Sequence, residues 1–61
     1  MSDVFLVSLI SPAGAVTAAR PSAREALALA RRLEADGEVA ITTPAGNTLA
    51  LSDFVAIFQL G

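Results

Sequence analysis

The chain of 61 residues contains no cysteine, histidine, lysine, tyrosine or tryptophan. Without cysteine and histidine it can form neither a disulfide nor the usual zinc site, so neither kind of cross-link can support a small core. The same absences remove most of the side chains that act as nucleophiles or as general acids and bases. We therefore expect that the protein is not an enzyme and that it has no cofactor and no metal site.

The ionisable side chains that are present are six acids and four arginines. Asp36 and Glu38 flank Gly37 at the expected end of a helix, where solvated turn acids are more common than metal ligands. The glycine-containing turns have neither the Walker spacing nor the dinucleotide-binding spacing. These patterns therefore predict no catalytic or phosphate-binding residue.

Targeting signals are not evident in the sequence. The apolar run at residues 4–10 follows Asp3 and no basic residue, and it is short for the apolar region of a signal peptide. No segment approaches the roughly 18 uninterrupted apolar residues that a membrane span needs. The absence of cysteine fits a reducing compartment. We therefore expect a cytoplasmic protein that does not associate with membranes.

Hydrophobic residues make up 54% of this short chain. A chain of this length forms one small domain, here residues 1–61, and buries only about 60% of its unfolded surface. One helix and a small sheet cannot hide that many apolar side chains, so oligomerisation is the remaining way to bury the excess. The net charge of −2 points neither to a nucleic-acid binder nor to an acidic tail.

Residues 22–36 have the pattern of an amphipathic helix. Ser22 and Glu25 form an S-x-x-E capping box, and Gly37 can adopt the left-handed conformation that ends a helix. At 100° per residue, leucines and alanines fill one side of the helix and the arginines fill the other. Glu34 falls on the apolar side, where we expect it to bend into solvent; a buried functional acid is the alternative.

The rest of the chain reads as strands separated by turns. Residues 4–10 are rich in β-branched and aromatic side chains and are apolar on both sides, which is typical of a central strand. Residues 11–14 and 43–46 each place proline second and glycine fourth, as a type I turn prefers. The other predicted strands are residues 15–20, at an edge of the sheet, residues 38–43 and residues 48–51.

The last ten residues, 52–61, fit two structures. Ser52 is a suitable N-cap for a short helix in which Phe54, Ile57 and Phe58 form an apolar stripe. Alternatively residues 54–60 form a fifth strand, because phenylalanine, valine and isoleucine favour strands. We favour the helix.

Together these elements predict an α+β domain of ββαββ type. A small antiparallel sheet has its first strand in the interior and one long helix across one face, followed by a short C-terminal apolar helix or strand. The other sheet face must be covered by the C-terminal segment, by a second copy or by both; a different partner or an apolar ligand is the further alternative. The residues expected in a homodimer interface are Val4, Leu6, Ile10, Phe54, Ile57 and Phe58.

All the positive charge is on Arg20, Arg24, Arg31 and Arg32. Arg24 and Arg31 are seven residues apart and therefore lie on nearly the same line of the helix. Such a row could bind phosphates or an acidic protein partner. The negative net charge, the lack of lysine and the lack of exposed aromatic side chains count against nucleic acid. We interpret the row as a solvated helix face.

Residues 14–33, with the run SAREALALA after an edge strand, are similar to the strand-to-helix passage of HicB-type antitoxins. The resemblance covers about a third of the chain, rests on the S-x-x-E-A pattern and lacks the three-strand opening of that family. It implies a small inhibitor protein.

The apolar excess and the missing catalytic side chains favour one function. We expect a non-catalytic protein–protein interaction module, a small homodimeric regulator or accessory protein. A nucleic-acid-binding module that uses the helix arginines and a small antitoxin-like inhibitor are the alternatives.

Overall fold

The computed structural model describes residues 3–58, which form a four-stranded sheet and two helices. Every strand pair is antiparallel, and the strand order is β2-β1-β3-β4. This confirms the predicted α+β fold of ββαββ type, with the first strand in the interior and the second at an edge. In chain order, the elements are β1 (Phe5–Ser11), β2 (Gly14–Arg20), α1 (Ala23–Leu33), β3 (Glu38–Thr42), β4 (Thr48–Ala50) and α2 (Leu51–Phe58).

The predicted cap is present at the start of α1. The Ser22 hydroxyl oxygen accepts a hydrogen bond from the Glu25 backbone N–H at 3.2 Å. The Glu25 carboxylate contacts the same hydroxyl, also at 3.2 Å, rather than the backbone N–H of Ser22 that a complete capping box would use. The serine therefore fixes the first turn of the helix. The second bond of a capping box, from the backbone N–H of Ser22 to the Glu25 carboxylate, is replaced by the contact between the two side chains.

The end of α1 differs from the prediction. The helix ends at Leu33 rather than at Asp36, and the Glu34 N–H donates to the Ala30 carbonyl at 2.9 Å as the final helical bond. Glu34 is exposed, as expected, so the alternative of a buried functional acid is not supported. Gly37 is not in the left-handed region, which only Gly14 and Gly46 occupy among the described glycines.

Gly37 is required for space rather than for its backbone angles. A Cβ atom at this position would lie 2.6 Å from the Ile10 carbonyl oxygen and 3.2 Å from Cδ1 of Leu9. The first distance is too short for any real contact with a backbone atom. The glycine therefore lets the chain pass close to β1 before β3 begins.

We expect Gly37→Ala to destabilise the protein. Relieving the overlap with Ile10 requires a backbone shift, which costs about 1–3 kcal/mol. The entropy gained by replacing a glycine offsets only about 0.4–1 kcal/mol of this. Urea unfolding should show a lower midpoint for Gly37→Ala and a nearly unchanged one for Asp36→Ala, a change at the neighbouring exposed residue. Equal urea midpoints for Gly37→Ala and Asp36→Ala would show that a Cβ atom at residue 37 does not disturb the packing against Ile10.

Both helices pack on the same face of the sheet. The core joins side chains of β1 and β3 to side chains of α1 and to Phe54 of α2. The described part of the C-terminal segment, residues 52–58, therefore does not cover the second sheet face, which corrects one of the two coverings that the sequence left open. The buried core residues are Val7, Leu9, Ala26, Leu27, Ala30, Val39, Ile41 and Phe54.

The segment after β4 is a helix, as favoured, and not a fifth strand over the residues that the structure describes. α2 begins at Leu51, directly after Ala50. Ser52 therefore lies in the first turn and is not the N-cap that the sequence predicted. The predicted segment extends to residue 61 and the alternative strand to residue 60. Residues 59–61 lie outside the described residues.

The helices of this fold are short. α1 has 11 residues and α2 has 8, whereas a bilayer-spanning helix needs about 20. Within residues 3–58, no helix is long and apolar enough to cross a membrane.

Candidate self-association surface

The strand register identifies the residues on the sheet face opposite the helices. Directly paired residues of neighbouring strands lie on the same face of a sheet. Leu6 pairs with Ala19 and Thr42, and Ile10 pairs with Ala15 and Glu38. Continuing these rows across the sheet defines what we call the open face: Leu6, Ser8, Ile10, Ala15, Thr17, Ala19, Glu38, Ala40, Thr42, Thr48 and Ala50.

The open face is nearly uncharged, and most of its side chains are small. Leu6 is 37% exposed and Ile10 is 51% exposed, and most of the other positions are alanine or threonine. Glu38 is its one ionised side chain, and it lies at the first position of β3. Small side chains let another surface approach the sheet closely, so this face is suited to contact with a second flat layer.

The hydroxyl groups of the open face bond to one another across strands. Ser8 Oγ lies 3.3 Å from Thr17 Oγ1, and Thr42 Oγ1 lies 2.9 Å from Thr48 Oγ1. Each pair satisfies one hydroxyl donor within the chain. If another surface covers this face, fewer hydroxyl donors are left without a hydrogen bond than the number of serine and threonine side chains suggests.

Of the six residues predicted for a homodimer interface, two lie on the open face. These are Leu6 and Ile10 of β1, which pair with neighbours on both sides. Val4 is half-buried and immediately precedes β1. The structure thus brings Leu6 and Ile10 into one surface, within about 13 Å of each other along the strand.

The other three predicted interface residues belong to the helix layer. Phe54 is fully buried in the core of its own chain. Phe58 stacks on Phe54 with ring centroids 4.5 Å apart and meets the edge of Phe5 at 5.8 Å. Ile57 is 62% exposed. The apolar stripe of α2 therefore lies on the opposite side of the sheet from Leu6 and Ile10, and the six residues do not form one surface.

An open groove lies between α2 and the turn that connects β3 to β4. It has a volume of about 740 Å³, and its apolar lining includes Phe5, Leu49, Ile57 and Phe58. The described residues that line it carry no ionisable side chain. The groove therefore offers apolar contacts and a few hydroxyl, amide and backbone groups, without an acid or base for catalysis.

The arginines lie on the helix side of the protein. Arg20 and Arg32 line one cleft of about 200 Å³ together with Glu25, and Arg24 and Arg31 are exposed on α1. Because Glu25 lies in the same cleft, the local charge is mixed rather than purely positive. The possible anionic-partner face of Arg20, Arg24, Arg31 and Arg32 is thus separate from the open face.

The acidic residues do not gather into a metal-binding site in the part of the chain that the structure describes. No group of three acids within residues 3–58 is close enough to hold an ion. Glu34, Asp36 and Glu38 are exposed near the end of α1 and the start of β3. They act as a solvated acidic edge rather than as a ligand set.

Comparisons with protein-family models, with curated proteins and with solved structures gave no match.

Most residues of the open face were not among the predicted site residues. Ala19 and Ala40 are small, and nothing in their own identity indicates a surface role. The alternation of Ala40 and Thr42 against Val39 and Ile41 does place them on one side of a strand. Only the strand register shows that Ala19 and Thr42 lie beside Leu6 and that Ala40 lies beside Ser8.

Proposed function

We propose that this protein is a non-catalytic homodimeric interaction module, a small regulator or accessory protein, whose two copies stack through the open face. The observation that carries the proposal is the placement of α1 and α2 on the same side of the sheet. This placement leaves the other side, with Leu6 and Ile10, uncovered by any described residue. A second sheet is the covering that such a face receives in a two-layer β-sandwich.

The size of the open face indicates a weak contact between two copies. Its four strands have seven, seven, five and three residues, so each face covers roughly 350 Å² at about 4.8 Å between strands and about 3.3 Å per residue. Two such faces bury roughly 700 Å² in projection, below the roughly 1,200 Å² of standard specific interfaces and in the range of weak, transient ones. We therefore expect a dimer that dissociates in the micromolar range.

The distribution of charge supports the same occupant. Each chain has a net charge of −2, so two copies repel one another unless their charged groups face away from the contact. The arginines lie on the helix layer, and Glu38 is at one end of the open face. Stacking the open faces therefore brings uncharged surfaces together and leaves the charged side chains near solvent.

Dilution tests this function. Light scattering at tens of micromolar should give about twice the 6.2 kDa mass of one chain, and the mass should fall toward that of one chain on dilution. The thermal midpoint should rise with protein concentration over the same range, because association stabilises the folded state by mass action. A single-chain mass throughout, with a concentration-independent midpoint, would contradict the proposal.

A further inference from the structure

The outer edge of β2 is a second unpartnered feature, independent of the open face. β2 is the first strand in the order β2-β1-β3-β4, so one side of its backbone has no strand beside it among the described residues. Its seven residues pair with β1 without interruption from Arg20 to Gly14. An unbroken edge of this length presents a regular row of outward N–H and C=O groups, of which the Ala19 carbonyl accepts a hydrogen bond from the Arg20 guanidinium at 2.6 Å.

The edge lacks the usual features that prevent strand pairing. Within β2 there is no proline, no lysine and no bulge, and its one charge is on the last residue, Arg20. The opposite edge of the sheet is different, since β4 has three residues and continues directly into α2. Short edge strands are one way in which proteins block pairing. Of the two edges, only β2 is suited to accept another strand.

We propose that β2 pairs in antiparallel fashion with β2 of a second copy, about a two-fold axis at Thr17. In this register Val16 lies opposite Ala18 of the other copy, and Ala15 lies opposite Ala19. Arg20 lies opposite Gly14, so the two arginines are at opposite ends of the contact. Like charges directly opposite one another would disfavour pairing, and this arrangement has none.

The backbone geometry fits this register. The two-residue turn after Ser11 directs the backbone of Gly14 toward β1. Because the hydrogen-bonding direction alternates along an antiparallel strand, Ala15, Thr17 and Ala19 direct their N–H and C=O groups outward. Pairing about Thr17 then matches Thr17 with itself and Ala15 with Ala19. The outward groups of both strands meet once the Arg20 guanidinium releases the Ala19 carbonyl.

The side chains of β2 also fit a second copy. On the helix side, Val16 is 61% exposed because α1 does not cover this end of the sheet. The two-fold pairing places Val16 beside Ala18 of the second strand and covers part of this apolar surface. Both open faces lie on the same side of the joined sheet, so edge pairing does not block face stacking. Edge pairing forms at protein concentrations above those of the face dimer, and there it extends the assembly beyond two chains.

A cysteine at Val16 tests the edge contact, because the chain has no other cysteine. In the proposed register the two Val16 side chains are diagonal neighbours, roughly 7–8 Å apart. Val16→Cys should therefore be joined into covalent dimers by a short bifunctional thiol reagent at high protein concentration. Val16 lies on the helix side, so face stacking alone cannot bring these thiols together. Ala35→Cys, at an exposed turn, is the matched control for random collisions.

A second variant shows whether the backbone edge is responsible. Adding Thr17→Pro to Val16→Cys removes the central outward N–H, and cross-linking should fall to the level of Ala35→Cys while circular dichroism still shows the folded chain. Should Thr17→Pro unfold the chain, Ala19→Pro removes a different outward N–H for the same purpose. Cross-linking of Val16→Cys no greater than that of Ala35→Cys at the highest soluble concentration would overturn the proposal. The face contact is judged separately, from the mass of the Ala40→Arg variant.

Discussion

The Ala40→Arg variant is expected to be monomeric at concentrations at which the wild type is a dimer. Ala40 lies on β3 in the middle of the open face, with Ser8 on one side and Ala50 on the other. An arginine here places a charge between the two stacked sheets, and the two-fold symmetry introduces it twice. Burying unpaired charges costs several kcal/mol. A loss of about 3 kcal/mol already weakens the dimer more than a hundredfold.

The fold should survive this change, because the Ala40 side chain points away from the core residues Val39 and Ile41. Ala35→Arg adds the same charge at an exposed turn and should remain dimeric. Light scattering gives the mass of both variants, and circular dichroism reports whether each is folded. An Ala40→Arg protein with the wild-type dissociation constant would show that the open face is not the dimer contact.

Phe54→Ala is expected to remove a large part of the stability of the chain. Phe54 is fully buried, and its ring meets the edge of Phe5 at 5.9 Å and stacks on Phe58. Replacing a buried phenylalanine by alanine costs about 3–5 kcal/mol. At about 0.05–0.15 kcal/mol per residue, a chain of 61 residues has only about 3–9 kcal/mol of stability to lose.

Ile57→Ala is the matched control for this prediction. It removes a large apolar side chain from the same helix, but Ile57 is 62% exposed, so the expected change is within about 0.5 kcal/mol. Thermal and urea unfolding followed by circular dichroism measure both variants. A Phe54→Ala protein as stable as Ile57→Ala would show that α2 contributes little to the core.

The local signals of α1 were sufficient to predict it. Ser22 and Glu25 mark its start because a serine oxygen in that position satisfies a free N–H of the first turn, and this bond is present. The arc of alanine and leucine predicted which side meets the sheet, and Ala26, Leu27 and Ala30 are buried. The end was less predictable, since the last turns of a helix depend on contacts made by the following chain.

The side of the sheet on which α2 packs could not be predicted from its own residues. Phe54, Ile57 and Phe58 form a stripe that suits either face. Burying Phe54 against Phe5, in one cluster with Val7 and Ile41, joins the buried apolar side chains into a single core. A helix on the other face would have given two small cores, each with more exposed apolar surface. Which sheet face α2 covers therefore depends on the packing of the whole domain and not on α2 alone.

The open face was predicted only in part for the same reason. The alternation of β1 identified Leu6 and Ile10 as residues that α1 does not cover. The neighbours that complete the surface, such as Ala19 and Thr42, are far from them in sequence and adjoin them through the strand register. Register depends on turn length and pairing partners, so a single strand cannot reveal its neighbours.

The contact between Phe5 and Phe54 also has a consequence for folding during synthesis. The β1–β2 hairpin is local, and it can form as soon as Arg20 has left the ribosome. Its helix-facing side stays incomplete until Phe54 emerges, because that ring supplies part of the core over β1. Phe5 and Phe54 are far apart in the sequence, and contacts between distant residues slow folding. A nascent chain therefore exposes the unpaired edge of β2 before the core can close. Contact with another newly made copy during this interval favours aggregation through that edge.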